Sequence, residues 1–346
     1  MPARVMIVSV QGNSGMLGSY GRAFEGLGAE TSYFDLAARH MSHARLGVVG
    51  QTLSRFISVE PWIAKANRDL VATTIERSPD VLACTVSDIR AGAIAQIKVS
   101  SPKTKVVLIW PDMLQNLTER MVSCLRVVDV VATYSKMSIP MFERLGARRV
   151  VWAPFAMDTW LFPDVELTAE ERVRYASDIG FVGNHRPERE RDVLRMLDAG
   201  LRVKVWGLPA SWARAAARKD RLREYFQGEP LEGKDLVKAL RSAALAVNMI
   251  DPTNYPAANM RFFETYAARA TPLCSRCPEM EDIFREGESA FYFDAQDLVV
   301  RAIALLKDRD AIRRVGEAGR QLAEVGHHYR DRASLILDAC GLPHGA

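Results

Sequence analysis

The sequence predicts an α/β protein made of two Rossmann-like halves with parallel sheets. Three observations carry this. Short apolar runs alternate with amphipathic stretches along most of the chain. The runs are near-continuous in Val, Ile, Leu and Ala, as expected of parallel strands covered on both faces. The alternation breaks once, between 153 and 176, and then restarts. At roughly 150 residues per domain, 346 residues make about two domains.

The elements follow in order. Residues 5–10 read as a buried strand, followed by a glycine-dotted loop over 12–21 and a short helix ending near Gly26 and Gly28. A weaker strand covers 31–34, and 40–60 has no clear pattern. A helix over 61–77 begins at Pro61, the residue favoured in a first turn. Strands are then expected at 80–86, 105–110, 127–132 and 149–152, with helices at 88–99, 117–125 and 138–145 between them. Pro154 and Pro163 punctuate the break. The second series has strands at 178–182, 202–206, 245–249, 271–274 and 290–293. Its helices fall at 188–199, 210–226, 236–243, 258–268 and 279–285, and 296–340 reads as helices alone. The expected domains are 1–155, a linker over 156–176, a second domain over 177–325, and a C-terminal helix over 326–346.

Composition narrows the class. The chain is 48% hydrophobic and 25% charged, ordinary globular values. Forty-six basic and 42 acidic residues leave a net charge of +4, too mild to imply a nucleic-acid partner. Five cysteines, an odd number in a long chain, do not form a disulfide framework. The opening apolar stretch is short for a secretory signal and no run of about 18 apolar residues occurs, so a soluble cytoplasmic protein is expected.

Two open parallel sheets are expected to face each other across a cleft, with ligands outside the carboxyl ends of the strands. That directs attention to 11–19, 87–88, 111–112, 183–191, Gly207 and 251–261. Gly12, Gly15, Gly18 and Gly21 do not match the dinucleotide fingerprint. Their loop suits either an anion or an ordinary tight turn. Cys274 and Cys277 form a lone Cys-x-x-Cys without the second pair that a structural zinc site needs. Asp308 and Asp310 spell Asp-x-Asp between helices and read as a helix N-cap. His40, His43, His327 and His328 form no ligand set. The basic stretch 212–223 reads as an amphipathic helix with either a solvated or a membrane-facing surface. The helix beginning at Asn259 should point its amino end at the ligand edge, where free N–H groups and the helix dipole suit a diphosphate. Arg261 and Glu264 in its first turns either contact the ligand or pair with each other.

The run Asn259-x-Arg261-x-Phe263-Glu264, with Ala267, Ala270, Pro278, Glu281 and Phe284, resembles the signature of CgeB-like glycosyltransferases, a GT-B group similar to glycosyltransferase family 4. The likeness continues through Phe293-Asp294, Leu298, Gly316-Glu317-Ala318-Gly319 and His328-Tyr329-x-x-Arg332. Upstream, 177–184 resembles the opening donor-domain strand, and Ala153 to Asp158 with Phe162 the close of the acceptor domain. The resemblance implies a GT-B fold, a nucleotide-diphosphate-sugar co-substrate in the C-terminal half, an acceptor in the N-terminal half and no metal or other cofactor. It implies that Glu264 holds the ribose and that the loop 183–191 lies near the diphosphate. Two positions depart from it. Pro256 stands where family 4 carries its first glutamate, and Arg269 where the helix commonly ends in Gly.

The expected donor residues are therefore Asn259, Met260, Arg261, Glu264, Gly183, Asn184, Arg186, Arg189 and Gly207. Gly12, Asn13, Ser14 and Gly15 are expected on the acceptor side. An inverting transfer needs a group to take the acceptor's proton. Asp112, at a strand's carboxyl end, is the first candidate and Asp88 the second; Asp112 reads equally as an N-cap. The expected activity is glycosyl transfer in bacterial surface-glycan or glycoconjugate synthesis, to a glycan, lipid-linked or protein acceptor, with possible contact at the inner membrane face. A sugar-nucleotide epimerase and a non-catalytic glycosyltransferase-like binding subunit are the alternatives.

Overall fold

The computed structural model describes residues 2–11, 15–40, 60–85 and 89–345. It divides into two compact units, 1–154 with 329–346, and 155–328.

The first unit opens with β1 (Arg4–Ile7), α1 (Met16–Gly26), β2 (Glu30–Tyr33), α2 (Leu36–His40) and α3 (Glu60–Arg77). It continues through β3 (Val81–Cys84), α4 (Ala91–Ser100), β4 (Lys105–Trp110), α5 (Glu119–Leu125), β5 (Val130–Thr133), α6 (Ile139–Arg144) and β6 (Val150–Trp152). Six parallel strands run in the order β2-β1-β3-β4-β5-β6. The central strands are buried along almost their whole length, and the edge strands β2 and β6 are half-exposed. The core joins Leu82, Leu108 and Val131 of the sheet to Leu70, Ile94, Ile97 and Phe142 of the helices.

The glycines after β1 behave differently from the expected loop. Helix α1 already begins at Met16, so Gly18 and Gly21 lie within it and are buried. A Cβ on Gly21 would sit 2.3 Å from the Tyr33 hydroxyl, so this glycine permits close packing of α1 on β2.

The second unit carries α7 (Ala169–Tyr175), β7 (Ser177–Val182), α8 (Pro187–Asp198), β8 (Val203–Trp206), α9 (Pro209–Ala215), α10 (Leu222–Tyr225), α11 (Gly233–Ser242) and β9 (Ala243–Asn248). Then come α12 (Met260–Ala267), β10 (Pro272–Ser275), α13 (Pro278–Glu281), β11 (Phe291–Phe293), α14 (Leu298–Leu305) and α15 (Arg309–Gly326). Its five strands are parallel in the order β11-β10-β9-β7-β8. The last helix, α16 (Tyr329–Cys340), belongs to the first unit. There it packs on α1, with Tyr20 and Tyr329 edge to face at 5.2 Å, and buried Arg332 donates to the Pro154 carbonyl at 2.9 Å.

The stretch expected to link the halves, 156–176, lies in the second unit. Phe162 and Tyr175 are buried with Trp206, Leu236 and Leu240, and α7 starts in a capping box between Thr168 and Glu171. Asp308 is the N-cap of α15, accepting from the Ala311 amide at 2.8 Å. Arg269 occupies the turn after α12 with φ of 56°, where a side chain costs about 1–2 kcal/mol relative to right-handed backbone.

The expected helix over 210–226, and with it the continuous basic face over 212–223, does not form. The chain breaks between α9 and α10 because the Glu190 carboxylate accepts from the Ala217 and Arg218 amides, both at 2.9 Å. The same carboxylate meets His185 Nε2 at 2.9 Å, and both side chains are buried. Two of the five basic residues over 212–223 are paired, Arg218 with Asp220, and Arg221 with Asp198 and Glu224. Among the described residues, no helix is long and apolar enough to cross a membrane.

Two glycines of α15 face the core. A Cβ on Gly316 would lie 2.1 Å from the Thr271 hydroxyl, and one on Gly319 would lie 2.1 Å from the Ser289 carbonyl and 2.4 Å from the Tyr266 ring. Gly319→Ala should therefore destabilise the protein by about 1–3 kcal/mol through overpacking, despite its gain in helix propensity. Urea unfolding should show a lower midpoint with unchanged m. Gly26→Ala, whose Cβ meets nothing within 4 Å, should be neutral or slightly stabilising in the same assay.

Glu190 generates a pH prediction. Burial would raise its pKa, but the hydrogen bonds from His185, Arg218 and Ala217 outweigh it and hold the carboxyl below its ordinary value. A lowered folded pKa stabilises above the unfolded value and loses that contribution as pH falls through the folded one. Glu190→Gln should cost about 1–3 kcal/mol at neutral pH by stranding buried donors. The gap from wild type should shrink only below about pH 4. A gap constant down to pH 2 would show that ionised Glu190 does not hold this break.

Candidate functional site

In the second unit the chain leaves β7 for β8 on one side, then returns to β9 on the other. Strand order therefore reverses between β7 and β9, and the loops leaving their carboxyl ends diverge. A crevice of about 440 Å³ opens there. Its walls come from the first turns of α8 (Arg186, Glu188, Arg189, Arg191, Asp192), the segment after β9 (Met249 to Pro252, with Tyr255), and the ends of β10 and β11 (Ser275, Arg276, Phe293 to Ala295).

Two arginines bridge the reversal. Arg189 donates to the Asn184 carbonyl at 3.0 Å and to the Met249 carbonyl at 2.8 Å, with its guanidinium 5.5 Å from the Phe181 ring centroid. It thus ties the loop after β7 to the segment after β9. Burial and the like charge of Arg186 both lower its pKa; as a guanidinium it remains charged. Arg186, the N-cap of α8, pairs with Asp251 across the same gap. Burial would raise the Asp251 pKa, but the Thr253 hydroxyl and amide, Arg186 and Arg189 together lower it. Asp192 goes the other way, its carboxyl pushed up by burial. Four arginines and four carboxylates line the crevice, and Arg186 and Arg189 stand together at the amino end of the 12-residue helix α8. This suits an anion.

The candidates divide. Arg186 and Arg189 line the crevice, and Asn184 contributes its carbonyl to Arg189. Gly183 and Gly207 mark the place where β7 and β8 end against each other. A Cβ on Gly207 would sit 2.2 Å from the Gly183 carbonyl, which also accepts from the Trp212 indole at 2.9 Å. Asn259 exchanges hydrogen bonds with Asn248 at 2.8 and 3.1 Å, so its side chain is spent on anchoring α12 to β9. Arg261 and Glu264 pair with each other at 2.7 Å. Met260 is partly exposed at the start of α12. None of these four α12 residues lines the crevice; the helix whose first turn does is α8.

In the first unit, Asp112 accepts from the Met113 amide at 2.7 Å and from the Asn116 side chain at 2.8 Å, holding the short turn Leu114–Asn116. Gly15 is the N-cap of α1. Gly12, Asn13, Ser14, His43 and Asp88 lie outside the described residues. Cys274 and Cys277 are buried thiols; the hydrogen bond between them and then burial push the Cys277 thiol well up, away from the reactive thiolate.

Sequence reading missed Ser275, Arg276, Asp294 and Asp192. Arg276 is held by Glu281 at 2.8 Å and Asp294 at 3.3 Å. The available signal was the strand-end rule, applied after β7 and β9 but not after β10 and β11.

Residues 186–338 match the model of a family described as glycosyl transferase-like. No curated protein matches the chain significantly in sequence. Among solved structures, a glycosyltransferase from Rickettsia africae is similar at a TM-score of 0.67 and 11% identity, over 98% of both chains. Sucrose-phosphate synthase from Thermosynechococcus elongatus is similar at 0.65 and 13%, over 97% of this chain and 98% of that one. Anabaena HepE in complex with UDP-glucose is similar at 0.63 and 12%, over 98% and 99%. Together with the two parallel Rossmann-like sheets, these likenesses establish the GT-B fold.

Proposed function

We propose that this protein transfers a sugar from a nucleotide-diphosphate-sugar donor, and that the crevice of the second unit receives the donor's diphosphate. The observation that carries the reading is the placement of Arg186 and Arg189 on the first turn of α8, bridging the reversal of strand order. It is supported by the glycosyl transferase-like match, which begins at this helix.

Leaving-group charge is what such a site must stabilise. Arg189 is oriented before any ligand arrives, because two backbone carbonyls and the Phe181 ring hold it. Arg186 is half-exposed and exchanges its Asp251 contact for a phosphate oxygen, while Asp251 keeps the Thr253 amide and hydroxyl. Glu264 takes the ribose hydroxyls, with Arg261 orienting its carboxylate. Asn259 acts by fixing the start of α12 rather than by touching the donor. Gly12 to Gly15 lie on the acceptor side, and Asp112 takes the acceptor's proton, its carboxylate aimed by the Met113 amide and Asn116. The transfer needs no metal. Its setting is synthesis of a bacterial surface glycan or glycoconjugate at the cytoplasmic side of the membrane, with a glycan, lipid-linked or protein acceptor.

Because HepE is described with UDP-glucose, that donor leads a thermal-shift panel of UDP-, GDP-, dTDP- and CMP-linked sugars. One donor should raise the melting temperature, and its nucleoside diphosphate should bind about tenfold or more weakly to Arg189→Met, the loss of a charge-assisted contact. Unchanged affinity would remove the crevice from the donor site. Asp112→Asn should lower kcat by about 10²–10⁴, measured as glycosylated product in EDTA, with donor affinity unaltered. Full activity in this variant would exclude Asp112 as the base.

A further inference from the structure

The opposite edge of the second sheet, where the strands begin, holds a second cavity of about 640 Å³. That is within the range of small-molecule sites, roughly 300–1,000 Å³. Six arginines line it, from separate parts of the chain: Arg202 before β8, Arg241 on α11, Arg269 in the turn before β10, and Arg309, Arg313 and Arg320 on α15. Glu317 is the acidic residue in the wall.

The charge is incompletely matched. Asp178 serves Arg202 at 3.3 Å and Arg309 at 2.7 Å, and Asp164 serves Arg241 at 2.8 Å and Arg269 at 3.2 Å. Two carboxylates thus face four guanidiniums. Arg313 pairs with Asp310, and Arg320 with Glu317 and Glu324. Of the five carboxylates named, only Glu317 lines the cavity. Arg241 also donates to the Ala268 and Val165 carbonyls, which fixes its plane, yet its Nη2 is buried without a hydrogen-bonding partner. A buried donor left unpaired is unfavourable unless something else satisfies it.

Arg269 is an independent sign. It holds the left-handed conformation usually given to glycine, and thereby presents a guanidinium at the rim. Strained backbone of this kind persists where a side chain has a task. The cavity is deepest in charge at Arg241 and Arg320, whose side chains are about one-fifth exposed or less, while Arg202, Arg269, Arg309 and Arg313 form a more open rim.

We infer that this cavity binds a multiply charged phosphate group, at a site separate from the donor crevice. Guanidinium forks match phosphate oxygens in bidentate geometry, which favours phosphate over a carboxylate of single charge. The group belongs to a soluble phosphorylated compound; the same chemistry is offered by a phosphomonoester lipid headgroup, and the test separates the two sources.

The probe is inorganic pyrophosphate, titrated calorimetrically into the full chain. Arg186→Gln/Arg189→Met serves as background, so that binding in the donor crevice is suppressed. Pyrophosphate should still bind this variant. Adding Arg269→Gln and Arg309→Gln, two half-exposed positions, should weaken binding about tenfold or more. Circular dichroism melting should show the added pair still folded. A parallel sedimentation assay uses phosphatidylcholine vesicles containing phosphatidic acid. Vesicle binding that is lost with the same pair, without pyrophosphate binding, assigns the site to a headgroup. Binding of neither probe, or binding indifferent to the Arg269 and Arg309 substitutions, overturns the inference.

Discussion

Much of this molecule follows from the reversal of strand order between β7 and β9. A parallel sheet must send its crossovers over both faces, and where the direction of progression changes, neighbouring loops part instead of packing. The gap lies at the carboxyl edge, beside the amino end of α8. Left alone it would expose unsatisfied carbonyls of the two strand ends. Arg189 closes it by donating to Asn184 and Met249, and Arg186 adds an ion pair to Asp251. The contacts that hold the gap together are also those that make it attractive to an anion.

The surroundings keep that arrangement rigid. Gly207 has no room for a side chain beside the Gly183 carbonyl, so the ends of β7 and β8 are locked where the loop to α8 departs. Glu190, one residue beyond Arg189, fastens the same helix to His185 and to the break between α9 and α10. On the far side, Gly316 and Gly319 bring α15 against Thr271, Tyr266 and Ser289. The sheet therefore presents two differently built edges. One is a crevice lined by equal numbers of arginines and carboxylates, two of the arginines bridging the strand reversal; the other is a cavity lined by six arginines and one carboxylate.

The fold was largely legible because its central strands are buried on both faces and so are written as unbroken apolar runs, as in Val106 to Trp110 or Ala243 to Val247. Helix interruptions were less so. The stretch 210–226 carries no proline or glycine after Pro209 until Gly228, and what breaks it is a carboxylate 27 residues upstream. Gly21 looked like a loop residue because its packing partner, Tyr33, lies on another element. At the site, the strand-end rule reached Arg186, Arg189 and Asp251. Asn259, which it also reached, is hydrogen-bonded to Asn248 and does not line the crevice, and the rule was not applied as far as Arg276 or Asp294.

By itself, then, the sequence determined the class: two parallel α/β halves, a second half that resembles glycosyltransferases, and a short set of strand-end loops to inspect for a ligand. Those are properties of local patterning, since apolar runs and helix starts depend on near neighbours. Only the tertiary structure decided which charges meet. Arg186 found Asp251 across the strand reversal, and six arginines spaced from 202 to 320 gathered at one edge. Pairing depends on distances between elements far apart in the chain, and those distances exist only once the sheet has formed.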